Sequence, residues 1–393
     1  MAIPPYADRM SEVRGQNLSA VSADAISFGA GDADPAMLPD ISDIAADVLK
    51  KYRTEVLQYA ARKGLPEMRE WVAAEARKSG LRVTADNILV VNGAKHALDL
   101  TCKLFLNPRD SIVVTTPTYM TSLPIFNSYQ VEFIEIAQDA DGLIVDALEE
   151  RLKDLKRKNA RLPKMVYNVP EFHNPSGVTM SAERRAQLVR VAQEYGLLIV
   201  EDDPYRRIRF EGKSVAPIQS HDTTGCVIGL GTVAKLVAPG FRVGWVIATP
   251  EIIDKMASVK TDGGSGAIPQ RFILEYAQRG RIEPHIAEVI ATYRKHRDVM
   301  LKMLPEQLPG SSAIEPAGGY YVWVKLPEGV DGDELASAAA RHGVEILPGR
   351  IFYATTGPKN FVRLAFSFNS DERTVEGMQK LGKAYAEVAH SLV

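Results

Sequence analysis

The chain has 393 residues, 46% hydrophobic and 24% charged, with a formal net charge of −2. That composition supplies a large core and lacks the basic excess of a nucleic-acid-binding protein, so no nucleic-acid partner is expected. The length suggests two domains, or one large domain with an appendage. Met1–Val13 has no apolar core of signal-peptide type, and no run approaches the roughly 18 apolar residues of a membrane span, so no membrane partner is expected. Cys102 and Cys226 lie far apart and form no CxxC, which fits a reducing cytoplasm. The seven histidines show no HExxH-like spacing, and no metal is expected.

In chain order, the first short apolar run is Ile88–Val91. Asn92-Gly93-Ala94-Lys95 follows it and opens a helix with Ala97, Leu100 and Leu104 on one face. Further runs are Ser111–Val114, Met165–Val169, Leu197–Val200, Val227–Leu230 and Val243–Ala248. Arg151, Lys153 and Lys156-Arg157-Lys158 read as a solvated helix face. Ser181 is an N-cap, Leu188, Val191 and Tyr195 share one helix face, and Gly196 supplies the stop. Strand and helix in this rhythm predict a mostly parallel sheet covered on both faces. From Glu283 to Leu304 a long amphipathic stretch follows, then strand-like runs at Tyr320–Leu326 and Phe361–Phe368. In the last, Val362, Leu364, Phe366 and Phe368 alternate with Arg363, Ala365 and Ser367, which predicts a half-buried strand. This part reads as a separate α+β domain. No internal repeat, low-complexity tract or long linker is seen.

In open α/β sheets, ligands gather beyond the carboxyl ends of the strands. Gly93 and Ala94 leave backbone N–H groups free at a helix start for a phosphate, and Lys95 adds charge. Taken alone the segment reads better as a tight strand–helix turn without a ligand, and Asn174-Pro175-Ser176-Gly177 alone is a turn. Glu201-Asp202-Asp203 crowd three carboxylates at one strand end, which is costly unless one has a cationic partner. Lys235, beyond a buried strand and near glycines, can be desolvated, which frees its amine for Schiff-base chemistry. By itself it would read as an exposed helix lysine. Arg242 can fork onto a phosphate. Gly229–Ala234 also matches the dinucleotide pattern G-x-G-x-x-A, with Glu251 further on, but Pro239-Gly240 would break the helix that pattern needs.

Together these segments resemble the fold-type I, class I/II aminotransferases, particularly the 2-aminoadipate, kynurenine and aromatic branch, over almost the whole chain. The resemblance implies a pyridoxal 5′-phosphate (PLP) enzyme of α/β class. It implies an N-terminal arm over 1–45 that forms part of a small domain. A large PLP-binding domain over 46–283 would hold a mostly parallel, seven-stranded-type sheet, and a smaller α+β domain would cover 284–393. Gly-Thr-Val-Ala-Lys-Leu-Val-Ala-Pro-Gly-Phe-Arg-Val-Gly-Trp (231–245) is similar to the family's Ser-x-Ser-Lys-x-x-x-Pro-Gly-x-Arg-x-Gly. That implies Lys235 as the Schiff-base lysine, with Thr232 and Arg242 on the phosphate. Asn-Pro-Ser-Gly is similar to Asn-Pro-Thr-Gly, implying Asn174 on the phenolic oxygen. Asp-Asp-Pro-Tyr matches Asp-x-x-Tyr, implying Asp202 beside the pyridine nitrogen and Tyr205 on the phenolic oxygen. Gly93-Ala94-Lys95 occupies the place of the phosphate turn. Tyr119 would stack on the ring, Tyr59 would reach the phosphate of the neighbouring subunit, Arg363 would clamp the substrate carboxylate, and Gly31 would meet it through its backbone.

The implied reaction moves the α-amino group of an L-amino acid to a 2-oxo acid such as 2-oxoglutarate, by a ping-pong route. The expected donor is aromatic, 2-aminoadipate or otherwise bulky. A PLP-dependent lyase, decarboxylase or cyclase is the alternative, because fold does not settle reaction type. Small Ala365 and Ser367 leave room beside Arg363 for a ligand, which favours a carboxylate clamp over a surface strand arginine in an ion pair, and Arg363 together with a Lys235 proton shuttle favours transamination. A PLP-sensing regulator fused to a winged helix is the non-enzyme alternative, disfavoured because the chain starts directly in the aminotransferase-like region. A homodimer with shared sites is expected, with the Gly263–Gly266 loop at its interface. Arg14, Tyr119 and Ala33–Met37 are candidates to face the substrate. Departures from the family pattern are Ala234 for a serine, Lys95-His96 for a glutamine-rich turn, His173 for a glutamine, and Gly31-Asp32-Ala33 for Gly-x-Pro.

Overall fold

The computed structural model describes residues 24–390. Arg14 and the first 23 residues of the expected arm lie outside that range. Strand β1 is Ile26–Ser27. A large sheet follows, built from β2 (Ile88–Val91), β3 (Ser111–Thr116), β4 (Glu132–Asp139), β5 (Gly142–Leu143), β6 (Met165–Asn168), β7 (Leu198–Asp202), β8 (Val227–Thr232) and β9 (Gly244–Ile247). Their spatial order is β2-β9-β8-β7-β6-β3-β4-β5. The five central neighbours from β4 to β8 run parallel, whereas β9 is antiparallel to both β8 and β2. The expected seven strands become eight because the two-residue β5 folds back on β4. Strand β4 was not among the expected runs. It lies next to the two-residue edge strand β5, is mostly half-exposed, and has Glu132 and Glu135 interrupting its apolar residues.

Each expected apolar run lies in or along a strand, and β2 and β6 are buried at every position. Burial on both faces is what a helix-covered parallel sheet imposes. The helix Ala182–Tyr195 begins at Ser181, whose hydroxyl accepts from the Arg184 N–H, and stops at Gly196 with φ of +69°. Leu188 and Val191 are buried there, and Tyr195 is half-buried. Gly93, with φ of +89°, caps the helix Ala94–Phe105 without any side-chain hydrogen bond, so its first N–H groups stay available. After β8 the chain makes a turn and a short 3-10 helix at Pro239–Phe241. The long helix of a dinucleotide fingerprint does not form there.

The helix Ile282–Gln307 runs across the expected 283/284 boundary. Beyond it lie β10 (Ser312–Ala313), β11 (Tyr321–Lys325), β12 (Val344–Glu345), β13 (Leu347–Pro348) and β14 (Phe361–Ala365). Strands β10, β11, β14 and β13 form an antiparallel sheet, and β12 pairs in parallel with β1. The Ala365 N–H also donates to the Phe28 carbonyl at 2.7 Å, so the segment after β1 is tied to the C-terminal part of the chain. The strand expected over Phe361–Phe368 stops at Ala365 and is not half-buried. Arg363, Ala365 and Ser367 are as buried as Val362, Leu364 and Phe366. The alternation separates core from cleft, not core from solvent.

Candidate active site

A cleft of about 500 Å³ opens beyond the carboxyl ends of β6, β7 and β8. Asp202 is the last residue of β7 and Thr232 the last of β8. Lys235 follows β8 within three residues, and Asn174 sits in the turn after β6. Gly31, Ala94, Lys95, Tyr119, Asn174, Asp202, Tyr205, Thr232, Lys235, Arg242 and Arg363 all line this one cleft. Gly93 sits directly behind it, since a Cβ there would lie 2.6 Å from Arg242 Nη2. Tyr59 does not join the cleft; it stands 84% exposed. Ala33–Met37 does not line it either, whereas Asp32 does.

Lys235 Nζ donates to the Gly31 carbonyl and lies 5.0 Å from the centre of the Tyr320 ring. The Tyr320 hydroxyl in turn donates to the Lys235 carbonyl at 2.9 Å, fixing the lysine's backbone. Arg363 is 2% exposed. Its guanidinium donates from Nη1 to Asn174 Oδ1 at 3.0 Å and from Nη2 to the Gly29 carbonyl, and it lies 4.1 Å from the centre of the Tyr321 ring. Burial holds its pKa below the usual arginine value. A cation held this deep without a carboxylate on its fork is suited to take one from a ligand.

Asp202 accepts from the Tyr167 hydroxyl at 2.7 Å through Oδ2. Its Oδ1 is buried with no partner, and so is Asn174 Nδ2. Burial pushes the Asp202 carboxyl up to about 6, opposed by the Tyr167 bond and helped by the charge of Asp203. The crowding of three carboxylates is relieved by Arg206, which binds Asp203 and reaches Glu201 Oε1 at 3.4 Å. Glu201 also accepts the N–H groups of Ile218 and Gln219, leaving Asp202 alone to face the cleft.

At the opposite end, Arg242 adopts φ of +51°, a left-handed conformation costing a side-chain-bearing residue about 1 kcal/mol. Bonds from its guanidinium to the Asn92 and Pro239 carbonyls hold it against the uncapped helix start at Gly93. Lys95 stands beside it, and partial burial first, then the charges of Arg242 and Lys235, lower the Lys95 pKa. Two cations over free helix N–H groups make an anion site. The Thr232 hydroxyl is turned inward, donating to the Val243 carbonyl at 2.9 Å and accepting from the Ala234 N–H at 3.1 Å.

Sequence reasoning missed Tyr167, Tyr321 and Glu345. Tyr321 lies over Arg363 and its hydroxyl is 3.4 Å from that of Tyr205. Glu345 lines the cleft and accepts from Ser27 Oγ at 2.5 Å. The only signal for Tyr167 was a polar atom inside an otherwise apolar run. Among the described residues, no group of three or more metal-ligating side chains comes together, and no helix is long and apolar enough to cross a membrane.

The chain as a whole is similar to known proteins. The family model "Aminotransferase class I and II" covers residues 23–381. Aromatic-amino-acid aminotransferase 1 of Thermococcus litoralis is 37% identical over 96% of this chain and 92% of its own length. The 2-aminoadipate transaminase of Thermus thermophilus is 30% identical over 91% of this chain and 89% of its own. Among solved structures, Pyrococcus horikoshii kynurenine aminotransferase, in complex with PMP, superposes with a TM-score of 0.88. It shares 39% identity over 93% of this chain and 92% of that one.

Proposed function

This chain belongs to the class I and II aminotransferases, and from that premise we propose the donor class, the residue roles and the assembly of its reaction. The protein is a PLP-dependent aminotransferase acting on amino acids. Its donors are aromatic or otherwise bulky L-amino acids, its acceptor is a 2-oxo acid such as 2-oxoglutarate, and the two half-reactions alternate in ping-pong order. The relatives that act on aromatic amino acids, 2-aminoadipate and kynurenine support that donor class.

The observation that carries the residue roles is one cleft holding Lys235, an unpartnered buried oxygen of Asp202, and the fork of Arg363. The residues present fit PLP. Asp202 Oδ1 is an acceptor awaiting a ring N–H, Asn174 Nδ2 is a donor awaiting an oxygen, and the Lys95–Arg242 corner suits a phosphate. Bound PLP supplies an electron sink that weakens the substrate Cα–H bond. Asp202 keeps a negative charge at the ring nitrogen. Asn174 Nδ2 and the Tyr205 hydroxyl donate to the phenolic oxygen, and Tyr119 covers the ring. Arg242, Lys95 and the N–H groups after Gly93 hold the phosphate, joined by Thr232 when its hydroxyl turns from Val243. Arg363 binds the α-carboxylate, with the Gly31 backbone beside it. The Lys235 amine would be the group that takes and holds the proton from the substrate Cα.

The chain works as a homodimer in the cytoplasm. Tyr59 (84% exposed) and Leu57 (63%) support the dimer as exposed apolar side chains two residues apart. Tyr59 completes the partner's phosphate site, with Gly263–Gly266 at the interface. The small domain consists, among the described residues, of 284–390 together with 24–45. The test is the visible spectrum of the purified protein beside Lys235→Ala. A yellow wild type that bleaches with L-amino acids and recovers with a 2-oxo acid is expected, with no such colour change in the variant. A protein that takes up no PLP overturns the assignment.

A further inference from the structure

We propose that Tyr167 is a positioning residue for the cofactor's ring nitrogen, acting through Asp202. Tyr167 sits in β6 opposite Val200 of β7, and Asp202 lies two residues further along, on the same face. The phenol is fully buried and its hydroxyl donates to Asp202 Oδ2 at 2.7 Å. Its ring packs edge-on against Phe126 with centroids 5.3 Å apart, so it has no room to swing away. Ser122 and Tyr119 close the same corner from the loop after β3.

With Asp202 ionised, the bond has one sense. Burial, then the charge of Asp202, pushes the Tyr167 phenol well above its usual pKa, so the hydroxyl keeps its proton at any working pH. Oδ2 is therefore the acceptor whenever Asp202 is ionised. That does two things. It fixes the carboxylate plane so that Oδ1, which has no partner of its own, is the oxygen facing the cleft. It also favours the ionised form of a carboxylate that burial and Asp203 both push toward the acid. A hydroxyl bonded behind a carboxylate tunes it in the way such donors tune metal ligands.

The inference rests on the PLP reading. The holoenzyme and its Tyr167→Phe variant are titrated for PLP affinity against pH, and ring-nitrogen-labelled PLP is followed by nitrogen NMR. The acid limb of PLP affinity is expected to move up by about one to two pH units in the variant. The protonated ring-nitrogen signal falls at neutral pH, and kcat drops with little change in KM. A merely structural role would lower the melting temperature and leave that midpoint in place. An unmoved midpoint with an unchanged ring-nitrogen signal overturns the proposal. If Tyr167→Phe fails to fold, a fluorinated tyrosine placed at 167 makes a stronger donor and must move the midpoint down; no movement again overturns it. A wild type that takes up no PLP removes the PLP reading and this one together, whereas a loaded wild type beside an indistinguishable variant removes this one alone.

Discussion

Asp202→Asn separates what this site needs from what the fold needs. The carboxyl is 5% exposed, and its folded pKa of about 6 stands roughly two units above the ordinary 3.8. Two units correspond to about 3 kcal/mol. The sign follows from proton binding. Below 3.8 both the folded and unfolded chains hold the acid, and there is no penalty. Above about 6 both are ionised, and the folded chain carries the whole cost. Stability from this group is therefore lost as pH rises between those values. An asparagine keeps an oxygen for the Tyr167 hydroxyl and removes the charge. Its own buried amide N–H groups add a cost of about 1–3 kcal/mol, which does not vary with pH. Hence the pH dependence is the readout, not the absolute stability. Urea unfolding of cofactor-free wild type and variant is compared at about pH 5 and about pH 8. The variant should gain on the wild type by about 1–2 kcal/mol across that interval while its PLP affinity falls. Glu171 and Glu201, also raised by burial, cancel in the comparison. Two stability profiles that run parallel in pH would refute the reasoning.

Arg363→Lys replaces a fork that spans Asn174 Oδ1 and the Gly29 carbonyl with a point charge. Losing one charged hydrogen bond should lower kcat/KM for amino donors about 10- to 100-fold, with the PLP spectrum unchanged, as steady-state kinetics would show. Gly31→Ala places a Cβ 2.0 Å from Tyr321 Oη. It should impair the donor half-reaction in stopped-flow bleaching, and adding Tyr321→Phe should recover part of the loss by removing the clashing atom. Leu57→Asp should shift the sedimentation of the protein toward monomer, and Tyr59→Phe should weaken PLP retention without that shift.

The parts legible in the sequence are those where local order decides the geometry. Asp202, Thr232 and Lys235 lie at or just past strand ends, so finding the strands placed them. The helix at Ala182–Tyr195 was readable because Ser181 and Gly196 mark its two ends chemically. The parts that escaped are set by pairings across the chain. Tyr167 meets Asp202 across 35 residues, Tyr205 meets Tyr321 across 116, and Arg363 meets Asn174 across 189. No periodicity encodes those. Arg363 entered through resemblance, and its own alternation misled about burial because the cleft behaves as a second interior. The departures from the family pattern become readable by the same logic. His173 stands where glutamine is common, and it is buried, 3.0 Å from Thr115 Oγ1 and 2.9 Å from Ser176 Oγ. Burial drops its pKa to about 3, so it is a neutral imidazole throughout the working range. A neutral imidazole offers one donor and one acceptor, and His173 uses its two ring nitrogens toward Thr115 Oγ1 and Ser176 Oγ. The sequence marks this position only as a departure; burial and the two hydroxyl contacts show His173 as an uncharged hydrogen-bonding group in the turn before Asn174.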